Sequence, residues 1–276
     1  VPHTYASTDE FKKFLVDGGT SAGTANDATL LAILEGASRT VDGYCNRSAF
    51  GSGFGPRTAS NRYDSAGRSY LDLRDDFLTI SSVSMLDGTG GSSSALTEET
   101  DYYSQPYASA RKRRLQLHGL TTSLFSEGLR VLTVAGVAGY SNETVTATGT
   151  VNEALDTTET GIDVSATTSL SIGQTWLIGS EQMYVTALSS TTFTVKRGQN
   201  GSTAATHDSA AAIAYYVYPQ EVVTGTLLVA QRRWKQRDAG LTPVFDGQGI
   251  PGTQHSASEW TLLHSTLWHL RIPNVA

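Results

Sequence analysis

Apolar positions recur every three or four residues near both ends of the chain and alternate with polar ones between. Ser7-Thr8-Asp9-Glu10 has the spacing of a capping box, and Phe11, Phe14 and Leu15 follow as an apolar stripe that Gly18-Gly19 ends. This predicts a first helix. Leu30, Leu34, Ala37, Val41 and Tyr44 predict a second, from Asn26 to about Asn46, with one face covered. From Phe50 to Tyr140 short alternating runs are divided by Gly and Ser clusters, which predicts antiparallel strands at Tyr70–Leu73, Phe77–Leu86, Arg114–His118 and Leu129–Val134, and a loop at Asp87–Ser94. Helical spacing returns at Pro219, suited to a first helical position, and runs through Val223, Leu227, Ala230 and Trp234 until Gly240.

Residues 141–216 are rich in Thr, Ser, Ala and Gly and lack helical periodicity, so they read as an inserted all-β domain. After Gly240 a Gly- and Pro-punctuated stretch reads as an extended C-terminal arm over 241–276, ending in an amphipathic segment with Trp260, Leu263, Leu267 and Leu270 on one stripe and Trp268 beside it. The expected architecture is therefore α+β. A small helical bundle packs with an antiparallel β element (1–140 and 217–240), interrupted by the β insert (141–216) and followed by the arm. An aromatic stripe at the end of an arm either folds back on its own core or anchors a partner, because Trp is enriched in binding hot spots.

Charge sharpens this division. The chain has 20 Lys and Arg against 26 Asp and Glu, net −6. The insert holds Glu143, Glu153, Asp156, Glu159, Asp163, Glu181 and Asp208 against only Lys196 and Arg197, so it carries −5 and the rest is close to neutral. A chain of this sign is not built chiefly to grip nucleic acid, whose affinity comes from Lys and Arg at phosphates. No apolar run reaches the roughly 18 residues of a bilayer crossing, and the N-terminus lacks a basic stretch followed by an apolar one; a soluble chain with no membrane contact is expected. Cys45 is the single cysteine, which excludes an internal disulfide or a thiolate zinc cluster, and its place on a helical apolar face suits a buried small hydrophobe.

Candidate chemistry is sparse. Gly19-Thr20-Ser21-Ala22-Gly23 matches a nucleophile elbow, but a helix rather than a strand precedes it. Gly247-Gln248-Gly249-Ile250-Pro251-Gly252 spells a dinucleotide fingerprint without a leading strand, and Pro251 spoils the turn. His264 and His269, five apart, do not share a helical face, and Asp75-Asp76 and Glu98-Glu99 diverge as neighbours, so no metal pair or acid–base pair is expected. Two basic runs remain. Arg232-Arg233 with Lys235 and Arg237 lies where cations meet the negative end of a helix. Arg111-Lys112-Arg113-Arg114 lies at a strand start, either as a solvated loop or as a contact to a neighbouring subunit or to DNA. The chain is read as non-enzymatic, with no cofactor.

Several motifs, taken in order, resemble the gp6-like head–tail connector (adaptor) proteins of tailed bacteriophages. They are Tyr5-Ala6-Ser7-Thr8-Asp9-Glu10-Phe11, the helix Leu30 to Tyr44 closing on Asp42-Gly43-Tyr44-Cys45-Asn46-Arg47 and Phe50, Asp101-Tyr102-Tyr103, and Leu132 to Tyr140. In that family the last leads directly to a proline-started helix with a basic end, here Pro219 to Arg237. The resemblance spans about residues 5–140 and 218–240. Within the insert, Ile172-Gly173-Gln174-Thr175-Trp176, Glu181-Gln182-Met183-Tyr184-Val185, Arg197 to Ser202 and His207 resemble a small β module recurrent in phage structural proteins; as plain chemistry, these residues shape the loops of a turn-rich β fold. The resemblance implies a homo-oligomeric, dodecameric ring at the virion neck, made in the host cytoplasm, which binds the portal and a tail or stopper protein while DNA passes through its lumen. Trp260, Leu263, Leu267 and Trp268 are the candidate portal or neighbour docking residues. The rival reading is an adhesive, carbohydrate-binding or decoration β protein of the neck or tail.

Overall fold

The computed structural model describes residues 3–16, 26–47, 53–86, 92–119, 124–238 and 259–272. The Gly18-Gly19 stop, the Gly-x-Ser-x-Gly match, the start of the 87–94 loop, the Gly240 stop and the arm over 241–258 lie outside them. The described chain corrects the expected fold class. It is mostly β, with two antiparallel sheets of six strands each and four α-helices, not a small helical bundle with a β element beside it.

The chain forms two compact units. One comprises Val1–Ser48, Glu143–Gln199 and Thr203–Arg271, so the helices near both chain ends and the 143–199 strands belong to one body; the other is built around Ala49–Asn142. This grouping differs from the division drawn on composition.

In the first unit, helix α1 (Thr8–Val16) begins with the capping box formed as its residue types require. The Ser7 N–H donates to Glu10 Oε2 at 2.7 Å and the Glu10 N–H to Ser7 Oγ at 3.2 Å. Helix α2 (Asp27–Tyr44) buries Leu30, Leu34, Ala37, Val41 and Tyr44, the predicted face. Helix α3 (Gln220–Asp238) starts after Pro219, whose carbonyl accepts the Val222 and Val223 N–H groups, and it packs against α2 and against α4 (Glu259–Leu267). Beside the helices lies a sheet of β7 (Thr144–Thr150), β8 (Gly161–Asp163), β9 (Thr175–Ile178), β10 (Glu181–Ser189), β11 (Thr192–Lys196) and β12 (Ala212–Tyr216), in the order β7-β12-β9-β10-β11-β8.

Leu31 of α2 joins the core of this sheet, with Trp176, Met183, Val185, Phe193 and Ile213. Two further ties bind the N-terminal segment and the start of α1 to the turn before β9. The Thr8 N–H donates to the Ile172 carbonyl at 3.0 Å and Thr4 Oγ1 to the Gly173 carbonyl at 2.7 Å. Gly173 has φ +92, and a Cβ there would lie 2.8 Å from Thr4 Oγ1, so both backbone conformation and close approach demand glycine.

The second unit is a sheet of β1 (Arg57–Ser65), β2 (Tyr70–Leu86), β3 (Ser93–Leu96), β4 (Tyr102–Gln105), β5 (Lys112–Leu117) and β6 (Gly128–Ala138), in the order β1-β6-β2-β5-β4 with β3 also on β2. Strand β2 is 17 residues long and serves three partners, its early residues pairing with β5, Phe77 to Met85 with β6 and Val83 to Leu86 also with β3, with register shifts between Asp72 and Phe77 and between Ile80 and Ser82. Phe77, Leu115, Leu132 and Val134 centre its core. Here lies the physical reason for the corrected class. β1 reads RTASNRYDS and buries Ala59, Asn61 and Tyr63 at alternate positions, a period of two carried by small and polar residues that hydrophobicity alone does not register.

Candidate functional site

Helix α4 and the 3-10 turn that follows it, Trp268–Leu270, divide the four docking candidates by face. Leu263 and Leu267 are fully buried, while Trp260 is 52% and Trp268 63% exposed. The leucines hold the helix. They close on Gly225 of α3, where an added Cβ would lie 3.1 Å from Leu267 and 3.3 Å from Leu263, so the missing side chain sets how closely the two helices approach. The tryptophans face outward. Trp260 leans on Tyr44, 5.3 Å between ring centroids, and Tyr44 is fixed in turn by His264 Nδ1 at 2.9 Å from its hydroxyl and by Arg271, whose Nε donates to the Tyr44 carbonyl at 3.1 Å. His264 thus serves Tyr44, while His269 rests edge-on against Trp268, so the two histidines diverge.

The basic run of the second unit is drawn inward by carboxylates. Arg113 donates to both oxygens of Asp76, and Arg111 lies 3.8 Å from the same carboxylate with its guanidinium 3.9 Å from the centre of the Tyr140 ring. The hydrogen bond that Arg113 donates to Asp76 raises the Arg113 pKa. Arg114 pairs with Asp72 at 2.6 Å, and Lys112 Nζ donates to the carbonyls of Pro106 and Tyr107. Asp75 and Asp76, both buried, part as adjacent strand residues must. Asp75 accepts from Asn61 Nδ2 at 2.9 Å and lies 3.6 Å from Arg57.

Two polar clusters in the first unit were not legible as clusters. Glu181, fully buried at the start of β10, accepts Arg197 Nε and Nη2 at 2.7 Å each, the Gly198 and Ala205 N–H groups at 3.0 Å, and lies 2.9 Å from His207 Nε2. Arg197 also donates to the carbonyls of Asp156, Glu159 and Ala205. Burial alone would raise the Glu181 pKa; the donors, Arg197 foremost, outweigh it and hold the carboxyl at about 2. The motif residues Glu181, Arg197 and His207 thus tie three loops to one strand. Their sequence signal was a carboxylate opening an apolar strand and an Arg-Gly turn after another.

The second cluster pins the N-terminal segment to α2. The Tyr5 hydroxyl donates to Asp42, the Tyr5 N–H donates to Ser38 Oγ at 3.2 Å, and Arg39 lies 3.0 Å from Asp42. Burial lifts the Asp42 pKa to about 6, the pull of Arg39 and Tyr5 offsetting only part of it. Burial likewise pushes the Cys45 thiol up to about 12, which leaves it a small hydrophobe.

No family model matches the sequence, and no curated protein or solved structure matches it either. Similarity to the connectors therefore stands on the ordered motifs alone.

Proposed function

We propose that this chain is a structural head-to-tail adaptor of a tailed bacteriophage, one subunit of a ring under the portal that extends the DNA conduit and offers the tail its attachment surface. The observation that supports it best is the division of α4 and the turn after it, whose leucines fasten the helix to α3 while Trp260 and Trp268 stay exposed. Large, rigid aromatic side chains held on a braced helix are the residues that dominate binding energy at protein interfaces. The motif order supplies the partner class, a portal above and a tail or stopper protein below.

The test is attachment of the purified chain to portal-bearing heads, read by co-sedimentation. Trp260→Ala with Trp268→Ala should weaken attachment by about 30-fold or more and leave the melting temperature unchanged. Full attachment by the double variant would count against this surface, and a wild-type chain that ignores heads would count against the adaptor.

A further inference from the structure

We infer that the surface formed by Tyr44, α4 and Arg271 takes an acidic protein partner, a segment that sets a carboxylate on Arg271 beside apolar contact with Trp260 and Trp268. The inference rests on the adaptor reading above and names the chemistry of what docks there. Tyr44 gathers the site. It closes α2 at 3% exposure, and three exposed groups are anchored to it. The Trp260 ring lies 5.3 Å from the Tyr44 ring, and His264 Nδ1 lies 2.9 Å from the Tyr44 hydroxyl. Arg271 donates Nε to the Tyr44 carbonyl at 3.1 Å, with its guanidinium carbon 5.2 Å from the ring centre. A buried residue with these contacts restrains side chains that would otherwise sample many rotamers, so less conformational freedom is lost when a partner arrives.

The Arg271 guanidinium is only partly used. Its Nε is bonded, while its two Nη groups have no hydrogen-bond partner among the described residues, and that edge of the fork matches the two oxygens of a carboxylate. No described carboxylate takes the place. On α2, Asp27 pairs with Lys12 at 2.5 Å, Glu35 accepts the Tyr184 hydroxyl at 3.0 Å, and buried Asp42 is held by Tyr5 and Arg39. On α3, Glu221 of the first turn makes no ion pair among the described residues. Glu259, four and eight residues before Leu263 and Leu267, occupies the leucine stripe of α4 rather than that of Trp260 and His264.

The described side chains exposed between Trp260 and Arg271 are Trp260, Thr261, His264, Ser265, Trp268, His269 and Arg271. They offer indole, hydroxyl, imidazole and guanidinium groups, and none is acidic. The surface therefore carries positive charge with no negative charge to cancel it. Nucleic acid is a poorer fit than an acidic protein segment, because phosphate binding draws on many Lys and Arg side chains, and this face has one arginine on a chain of net charge −6. One open fork between two tryptophans suits a carboxylate set among apolar side chains, the pairing by which an interface combines specificity with buried aromatic anchors.

The experiment uses the full chain and two readouts. Trp176 and Trp234, the other two of the four tryptophans, are 0% and 5% exposed, so ionic quenchers of fluorescence report on Trp260 and Trp268. Iodide should quench these more than caesium does, each measured relative to a free tryptophan amide, and His269→Glu should narrow the difference. Attachment to portal-bearing heads should weaken as salt rises and fall about tenfold with Arg271→Glu. His269→Glu should weaken it and His269→Lys tighten it. His269 is exposed and rests on the Trp268 ring, so its variants keep the test decisive if loss of the Arg271 bond to Tyr44 unsettles the turn. Caesium quenching as strong as that of iodide overturns the inference and leaves the adaptor reading standing, as does attachment that neither salt nor the charge variants change. Displacement of heads by duplex DNA also overturns it, since the face would then serve phosphates. A wild-type chain that ignores heads ends both.

Discussion

The two sheets solve one problem, a carboxylate turned toward arginine, at different depths. In the first unit Glu181 is fully buried with Arg197 6% and His207 8% exposed, and five hydrogen-bond donors converge on one side chain. In the second, Asp72 and Asp76 share their cations with solvent, Arg114 being 44% and Arg113 36% exposed. The same ionic chemistry is a structural knot in one place and a graded surface in the other, because water screens the second and not the first.

Breaking the knot should have the largest effect. Glu181→Gln leaves Arg197 charged and buried without a counter-charge, and a loss of about 3–5 kcal/mol is expected, read by chemical denaturation. Hydrogen exchange should show the loss in β9 to β12 and leave β1 to β6 protected as before. Asp76→Asn should cost less, about 1–3 kcal/mol, since Arg113 and Arg111 keep partial access to water. Its exchange pattern should be the reverse. Arg114→Ala, with a pair already open to solvent, should change stability by less than about 1 kcal/mol.

Acidity separates two carboxylates of the first unit in sign. Glu181 sits at about 2 against an ordinary 4.5, so its contribution is complete above pH 4.5 and is lost as pH falls through 2. Asp42 sits at about 6 against 3.8, so its protonated form suits the fold, and that contribution is present below 3.8 and lost as pH rises through 6. Asp42→Asn should therefore gain on wild type between pH 4 and pH 7, whereas Glu181→Gln should draw level with wild type only in strong acid. Denaturation curves at pH 3, 4, 5.5 and 7 would show the two trends crossing.

The sequence carried the helices well. The Ser7–Glu10 box and the Leu30 to Tyr44 stripe appear as read, because capping and the 3.6-residue period are local properties. Strands β2, β5 and β6 were found in part. β1 was missed because Asn61 occupies an inward position that its bond to Asp75, 14 residues away, makes tolerable. The first unit's integration escaped for a related reason. Leu31 and Glu35 look like ordinary helical positions until Trp176's sheet and the Tyr184 hydroxyl, 3.0 Å from Glu35, are in place. Of the docking candidates, spacing placed the apolar stripe on α4 but could not tell which members brace the helix, since Gly225 on another helix decides it. The basic run at Arg111 to Arg114 was visible, its carboxylate partners on β2 were not.

The measurement that bears most directly on the adaptor reading is electron microscopy of the purified chain with portal-bearing heads. A closed ring of copies is expected at a single capsid vertex, coaxial with the portal and open along its axis, with Trp260 and Trp268 at the contact. Isolated subunits distributed along a tail or over the capsid shell would contradict it.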